Sequence, residues 1–104
     1  LARLYNSLLS ARTQWKAMVS LCRDFDFPLD EDHTVDMLSL KTNVCKASNE
    51  VVAGSFALAG GRAFYRQHEM ERLFRDVQAG NFHPLPEWEQ YAFTGRKILD
   101  ANKQ

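Results

Sequence analysis

The sequence predicts an all-α fold, a helical bundle of about four helices. Apolar residues recur every three or four positions along most of the chain, which is the spacing of one face of an α-helix. No segment shows the alternation of apolar and polar residues that is typical of a half-buried strand. Glycine, proline and acidic residues divide the pattern into four segments of helical length. The 104 residues suit a single domain, large enough to form a core.

The first predicted helix carries one apolar stripe from its first residue onward. Residues 24–32 lack this period, contain Pro28, and are expected to form an acidic loop that ends the helix. No capping residue precedes the stripe, so we expect the chain to be a piece of a longer protein. The stripe comprises Leu1, Leu4, Leu8, Ala11, Trp15, Met18, Cys22 and Phe25.

The second predicted helix is the longest, and it is expected to begin near Asp32 or Thr34, either of which can cap free amides. It is apolar around so much of its circumference that we expect it to be central, and its small residues allow neighbouring backbones to come close. Gly60–Gly61 is expected to end it, with a positive φ at Gly61. Its apolar residues are Met37, Leu40, Val44, Ala47, Val51, Gly54 or Ser55, widened by Val52, Phe56 and Ala59.

Two shorter helices follow. The third is expected to start near Glu69 and to stop at Gly80–Asn81, and the fourth to have Pro86 at its first position. The predicted buried face of the third is Met70, Leu73, Phe74 and Val77. The predicted buried stripe of the fourth is Trp88, Tyr91 or Ala92, Gly95 and Leu99.

The composition argues against several classes of partner. The 13 basic and 13 acidic residues balance, so no general attraction for nucleic acid or anionic lipid is expected. No apolar run approaches the roughly 20 residues that span a bilayer, and no secretory signal is visible. Cys22 and Cys45 are isolated, which favours structural thiols in a reducing, cytoplasmic compartment over a disulfide or a metal site.

Few residues stand out chemically. The chain has no phosphate-binding loop, zinc-protease motif or nucleophile elbow. His33 and His68 are expected to be solvated, whereas His83, between Phe82 and Pro84, is either a functional or a structural histidine. The adjacent Arg75 and Asp76 point to different sides of a helix, and each is expected to anchor a different neighbour.

Residues 60–76, GGRAFYRQHEMERLFRD, resemble the C-terminal helical domain of acyl-CoA dehydrogenases. In that family a Gly-Gly-x-Gly-aromatic turn leads to a helix of the form E-[KR]-L-x-R-D. Lys41 and Arg96 also fall where the family often has basic residues, and the resemblance extends from about residue 35 to 100. The residues that match without a gap are Gly60, Gly61, Phe64, Glu71, Arg72, Leu73, Arg75 and Asp76.

The resemblance implies a flavoenzyme in which this bundle and two further domains enclose FAD. The implied reaction is α,β-dehydrogenation of an acyl-CoA by a homo-oligomer, a dimer or tetramer, which passes electrons to an electron-transfer partner. Gly60 and Gly61 would approach the FAD of a neighbouring subunit; the alternative is a plain helix end that needs no ligand. The chain would be the C-terminal portion of that enzyme without the first helix of the family's bundle, and by itself inactive and unable to retain FAD.

The sequence departs from the family pattern at three positions, and these departures leave the reaction open. The family's glutamine position before the glycine pair holds Ala57, and its third glycine is Ala63. The position of the family's catalytic glutamate holds Pro84, which cannot act as a base. Either the base lies elsewhere or the chemistry differs, since related flavin-dependent monooxygenases have a histidine near the place of His83. We therefore retain a flavin monooxygenase as the second interpretation, and a non-catalytic helical interaction module as the third.

Overall fold

The computed structural model describes residues 1–27, 30–65, 69–83 and 85–103, and the side chains of all of these except 63 and 64. Four α-helices, and no strand, occur in these residues, so the predicted all-α fold is confirmed. Short 3₁₀ turns follow the first three helices. The helices are α1 (Ala2–Cys22), α2 (Glu31–Ala59), α3 (Glu69–Val77) and α4 (Glu87–Ala101).

The long helix α2 is central, as predicted, because every other α-helix packs against it. Helix α1 runs antiparallel to it, with Ser7 Oγ donating a 2.9 Å hydrogen bond to Glu50 Oε2. Gly54 lets the two helices approach closely, since a Cβ at this position would collide with the side chain of Leu4. The small residues of α2 therefore serve the close packing that the sequence indicates.

The connection between α1 and α2 differs from the prediction. The first helix ends at Cys22, and the next three residues, Arg23–Phe25, all have left-handed backbone conformations with φ of 44°, 54° and 68°. Phe25 consequently leaves the predicted stripe and is 87% exposed. The cap of α2 is Asp30, whose Oδ1 accepts a 2.7 Å hydrogen bond from the His33 N–H, rather than Asp32 or Thr34.

The earlier start of α2 also corrects the prediction for His33. Because α2 begins at Glu31, His33 lies in its first turn instead of in a solvated loop. Its ring is half-buried and stacks on Phe27, with 4.5 Å between the ring centroids. The other histidine that was expected to be solvated, His68, lies outside the described residues.

Helix α4 is rotated relative to the predicted stripe. Gln90 faces α2 and is 3% exposed, and its Nε2 donates to Ser39 Oγ at 3.0 Å and to Thr94 Oγ1 at 2.8 Å. Trp88 and Leu99, predicted to be buried, are 70% and 65% exposed. Pro86 occupies the capping position rather than the first helical position. The predicted stripe was therefore wrong at Trp88 and Leu99, and a hydrogen-bonded glutamine takes the place of an apolar residue against α2.

The core of the bundle is thin. The buried residues among those described are Ala11, Thr42, Ala47 and Gln90, and no large side chain is fully buried. On α1 the predicted stripe is correct at Ala11 but not at Trp15, which is 56% exposed. On α3, Leu73 and Phe74 are 41% and 40% exposed. The radius of gyration is 16.4 Å, against about 13 Å for a compact domain of this size, so the bundle is open and elongated.

Three further predictions meet the structure. Cys22 and Cys45 are free, half-buried thiols, as expected. Among the described residues, Arg75 pairs within its own helix and not with another element, since its Nε lies 2.9 Å from Glu71 Oε1. Of the described residues, no helix has the length and apolar character to span a membrane.

Candidate functional site

A glycine turn ends the central helix. Gly60 caps α2 with φ 76° and ψ −161°, a backbone conformation that is essentially restricted to glycine. Its N–H donates to the carbonyl oxygen of Phe56. The expectation that Gly61 has the positive φ is therefore wrong, because the reversal occurs one residue earlier.

The turn leaves bare backbone at the end of α2. A Cβ built on either Gly60 or Gly61 would meet no atom within 4 Å beyond its chain neighbours, so among the described residues no side chain packs over these two positions. The neighbouring Arg62 is exposed and adds a positive charge. Ala57, on the last turn of α2, is exposed and has no side-chain hydrogen-bonding group. The turn thus exposes backbone that a group from outside the chain can approach, and the residue at position 57 offers it no side-chain hydrogen bond.

His83 follows the 3₁₀ turn Gln78–Asn81 and is exposed. Its backbone N–H donates to Ala79 O at 3.3 Å, and the preceding Phe82 is 64% exposed. Pro84, at the family's glutamate position, lies outside the described residues. The imidazole of His83 is accessible to an external molecule, and its role as a catalytic residue stays a prediction.

Lys41 holds the segment that carries His83. Its Nζ donates to Gly80 O at 2.7 Å and to Leu85 O at 2.9 Å, so that one ammonium group binds both ends of residues 80–85. Lys41 was expected only to match a position of the family pattern, and its two contacts were not predicted from the sequence. The available signal was a lysine within the apolar pattern of a central helix, where a cation needs a partner.

A cleft of about 330 Å³ lies between α2 and the start of α4, beside this segment. Thr42 lines it, is 3% exposed, and has a hydroxyl without a hydrogen-bond partner among the described residues. Lys46 and Glu87, which also line it, form a 2.9 Å ion pair. The hydrogen bond from Lys46 lowers the pKa of Glu87, and the same bond raises the pKa of Lys46. The pair is exposed, so it connects the two helices without being desolvated.

The glycine turn and the His83 segment lie at different levels of α2. The His83 segment contacts α2 at Lys41, Cys45 and Asn49, which lie 19 to 11 positions before the cap Gly60, or about 28 to 16 Å along the helix axis. Within one chain the structure therefore does not bring Gly60 and Gly61 together with His83. In the described part of the chain, no group of three or more histidine, cysteine or acidic residues is arranged to hold a metal ion.

Comparison with known proteins gives one match. Residues 1–88 match the family model described as "Acyl-CoA dehydrogenase, C-terminal domain". No curated protein and no solved structure matches the chain.

Proposed function

Since this chain belongs to the acyl-CoA dehydrogenase C-terminal domain family, we propose that it forms the C-terminal helical part of an FAD-dependent oxidoreductase that acts on an acyl-CoA. The match over residues 1–88 carries this proposal, and the four-helix fold agrees with it. The remaining domains and the first helix of the family's bundle would belong to the longer protein, so that this chain alone is inactive.

We assign Gly60 and Gly61 to the binding of FAD from a neighbouring subunit. The support is the glycine-only conformation of Gly60 and the open space around both residues. The separation between the turn and the contacts of the His83 segment on α2, about 16 Å or more along the helix, agrees with placing the turn and His83 beside different regions of the assembly. In an oligomer of this kind, one subunit's turn completes the cofactor site of the next.

The proposed reaction removes two hydrogens from the α and β carbons of the acyl thioester. FAD, when bound, accepts the hydride and passes the electrons to a partner protein. The α-proton needs a base, and proline at position 84 has no titratable side chain. The accessible imidazole of His83 is the group that we assign to this end of the site, either to accept that proton or to donate to the thioester carbonyl.

A flavin-dependent monooxygenase is the second candidate. The observation that favours it is again the sequence at positions 83 and 84. An exposed histidine is followed by a proline, at the position where the dehydrogenases often have a glutamate. In that reaction the imidazole would act as a proton donor, and no base for an α-proton would be required.

Anaerobic titration of the full-length protein tests the proposal. We expect the purified protein to contain flavin, and an acyl-CoA from a series of chain lengths to bleach its visible absorbance. Flavin without bleaching, combined with oxygen-dependent hydroxylation of an aromatic substrate, would support the monooxygenase. Protein that neither contains nor takes up FAD would refute both and leave a helical interaction module.

A further inference from the structure

We propose that Lys41 is a positioning residue, which holds Gly80 and Leu85 on α2 and thereby sets the location of His83 between them. The functional part of this inference rests on the role proposed above for His83. The structural part rests only on the contacts of the segment with α2, and it is tested separately.

The ammonium of Lys41 connects the two ends of the segment. Hydrogen bonds of 2.7 Å to Gly80 O and 2.9 Å to Leu85 O are short, and a charged donor makes them stronger than neutral ones. Lys41 is half-buried, and among the described residues no carboxylate forms an ion pair with it. The two carbonyl oxygens therefore supply the partners that its partly buried charge needs.

The start of the segment has additional anchors, whereas at its described middle residues, Phe82 and His83, the side chains form none. A Cβ at Gly80 would lie 2.6 Å from Cys45 Sγ, so the backbone there rests directly on α2. Asn49 Nδ2 donates to Asn81 Oδ1 at 3.0 Å. Phe82 and His83 are exposed, and the contacts described for them are N–H bonds to Ala79 O. At the far end Lys41 holds the carbonyl of Leu85, and two residues later the Lys46–Glu87 pair holds the start of α4 on α2.

Loss of the ammonium would remove its contacts to Gly80 O and Leu85 O and let His83, which lies between them, move. A displacement of about 1 Å at a reacting group reduces turnover by as much as ~100-fold. Lys41 would affect catalysis without touching the substrate, and its effect would depend on the presence of the imidazole.

The experiment compares three variants of the full-length, flavin-loaded protein. Lys41→Met removes the charge at similar length, Lys41→Arg retains donors for two carbonyls, and Lys97→Met is the matched control. Lys97 is also half-buried and connects α4 to Glu31 at 2.7 Å, away from the segment. We expect Lys41→Met to lower kcat at least ~10-fold with KM and FAD content little changed. Lys41→Arg should restore most of the activity, and Lys97→Met should stay within about twofold of wild type.

Two further measurements decide how Lys41 acts. In a His83→Ala background, Lys41→Met should cause no further loss of kcat, because residues that act as a unit are not additive. Hydrogen exchange at the Phe82 and His83 amides should accelerate at least ~10-fold in Lys41→Met and not in Lys97→Met. Unchanged exchange would overturn the proposal, as would equal losses of kcat in both backgrounds. If His83→Ala alone retains full turnover, the role proposed for His83 fails, and the exchange rates still decide whether Lys41 holds the segment.

Discussion

At the scale of single residues, the backbone at the end of α2 shows which of the two glycines has the positive φ, and the side-chain pattern could not predict this. The sequence identified the glycine pair correctly as the end of α2, but the pattern cannot show which of two adjacent glycines takes the positive φ. That choice depends on where the last helical hydrogen bond forms, which here is from Gly60 N–H to Phe56 O. Gly61 follows within a 3₁₀ turn that alanine can also adopt.

Substitution of the two glycines should therefore have different effects. Gly60→Ala places a Cβ in a region that is almost closed to other residues, and we expect it to destabilise the fold by about 1–3 kcal/mol. Gly61→Ala, the matched control, should change the free energy of unfolding by less than about 0.5 kcal/mol. Thermal and urea unfolding of both variants measure this. Equal destabilisation would contradict the conformation described for Gly60.

His83 offers a test at the same scale. In the full-length protein, His83→Ala should lower turnover on the order of 100-fold while FAD stays bound, because a general acid or base contributes about this much. The exposed ring should contribute little to stability, so the melting temperature should hardly change. A loss below about threefold, together with a lower melting temperature, would identify a packing residue and remove the main support for the monooxygenase.

At the scale of elements, the central position of the strongly apolar helix α2 was predicted correctly. The buried face of α4, which mixes polar and apolar residues, was not. The number, order and approximate length of the helices follow from periodicity, and so does the central position of α2. The orientation of α4 does not, because Gln90 fills its buried face with hydrogen bonds to Ser39 and Thr94. The residue pattern of one helix cannot show that Gln90 has a partner, Ser39, that lies 51 positions away in the chain. The Lys41 contacts were inaccessible for the same reason, since they join groups 39 and 44 positions apart.

The Lys46–Glu87 pair should make the docking of α4 dependent on pH. Folding lowers the pKa of Glu87 below its ordinary value of 4.5, through the hydrogen bond from Lys46. The stabilisation from the ionised carboxylate is therefore present above pH 4.5 and is lost as pH falls through the lowered pKa of the folded state. Glu87→Gln should melt slightly below wild type at pH 7, and the difference should disappear well below pH 4.5. A difference that persists in acid would show that the carboxylate's charge is not the cause. Glu89→Gln is the control on the same turn.

At the scale of the whole molecule, the bundle presents more apolar surface than an isolated domain usually does. Its dimensions are 56 × 28 × 25 Å, and exposed large apolar residues lie along both α1 and α4. On α1 they include Tyr5, Leu9, Trp15 and Val19, and on α4 they include Trp88, Tyr91, Ile98 and Leu99. Contiguous patches of this kind are typical of interfaces. In the proposed enzyme, other domains or subunits would cover them.

The chain should therefore associate when studied alone. Burial of apolar surface contributes roughly 25 cal/mol per Å², so a patch of several hundred Å² favours a dimer or a higher oligomer. Sedimentation velocity at high micromolar concentration measures this directly. Leu9→Asp and Trp15→Glu should shift the distribution toward monomer, whereas Arg12→Glu, which changes charge but not apolar area, should not. A compact monomer of the unmodified chain would contradict the prediction.

The left-handed residues that join α1 to α2 also have a consequence for how such an oligomer forms. Arg23, Asp24 and Phe25 each have positive φ, and none is glycine, so this conformation costs roughly 1 kcal/mol or more per residue. The packing of α1 on α2 keeps the connection bent. If α1 swings away, the three residues relax to extended backbone, and the released strain offsets part of the lost contacts. The strained conformation of Arg23–Phe25 would therefore lower the free-energy cost of exchanging α1 between two copies of the chain.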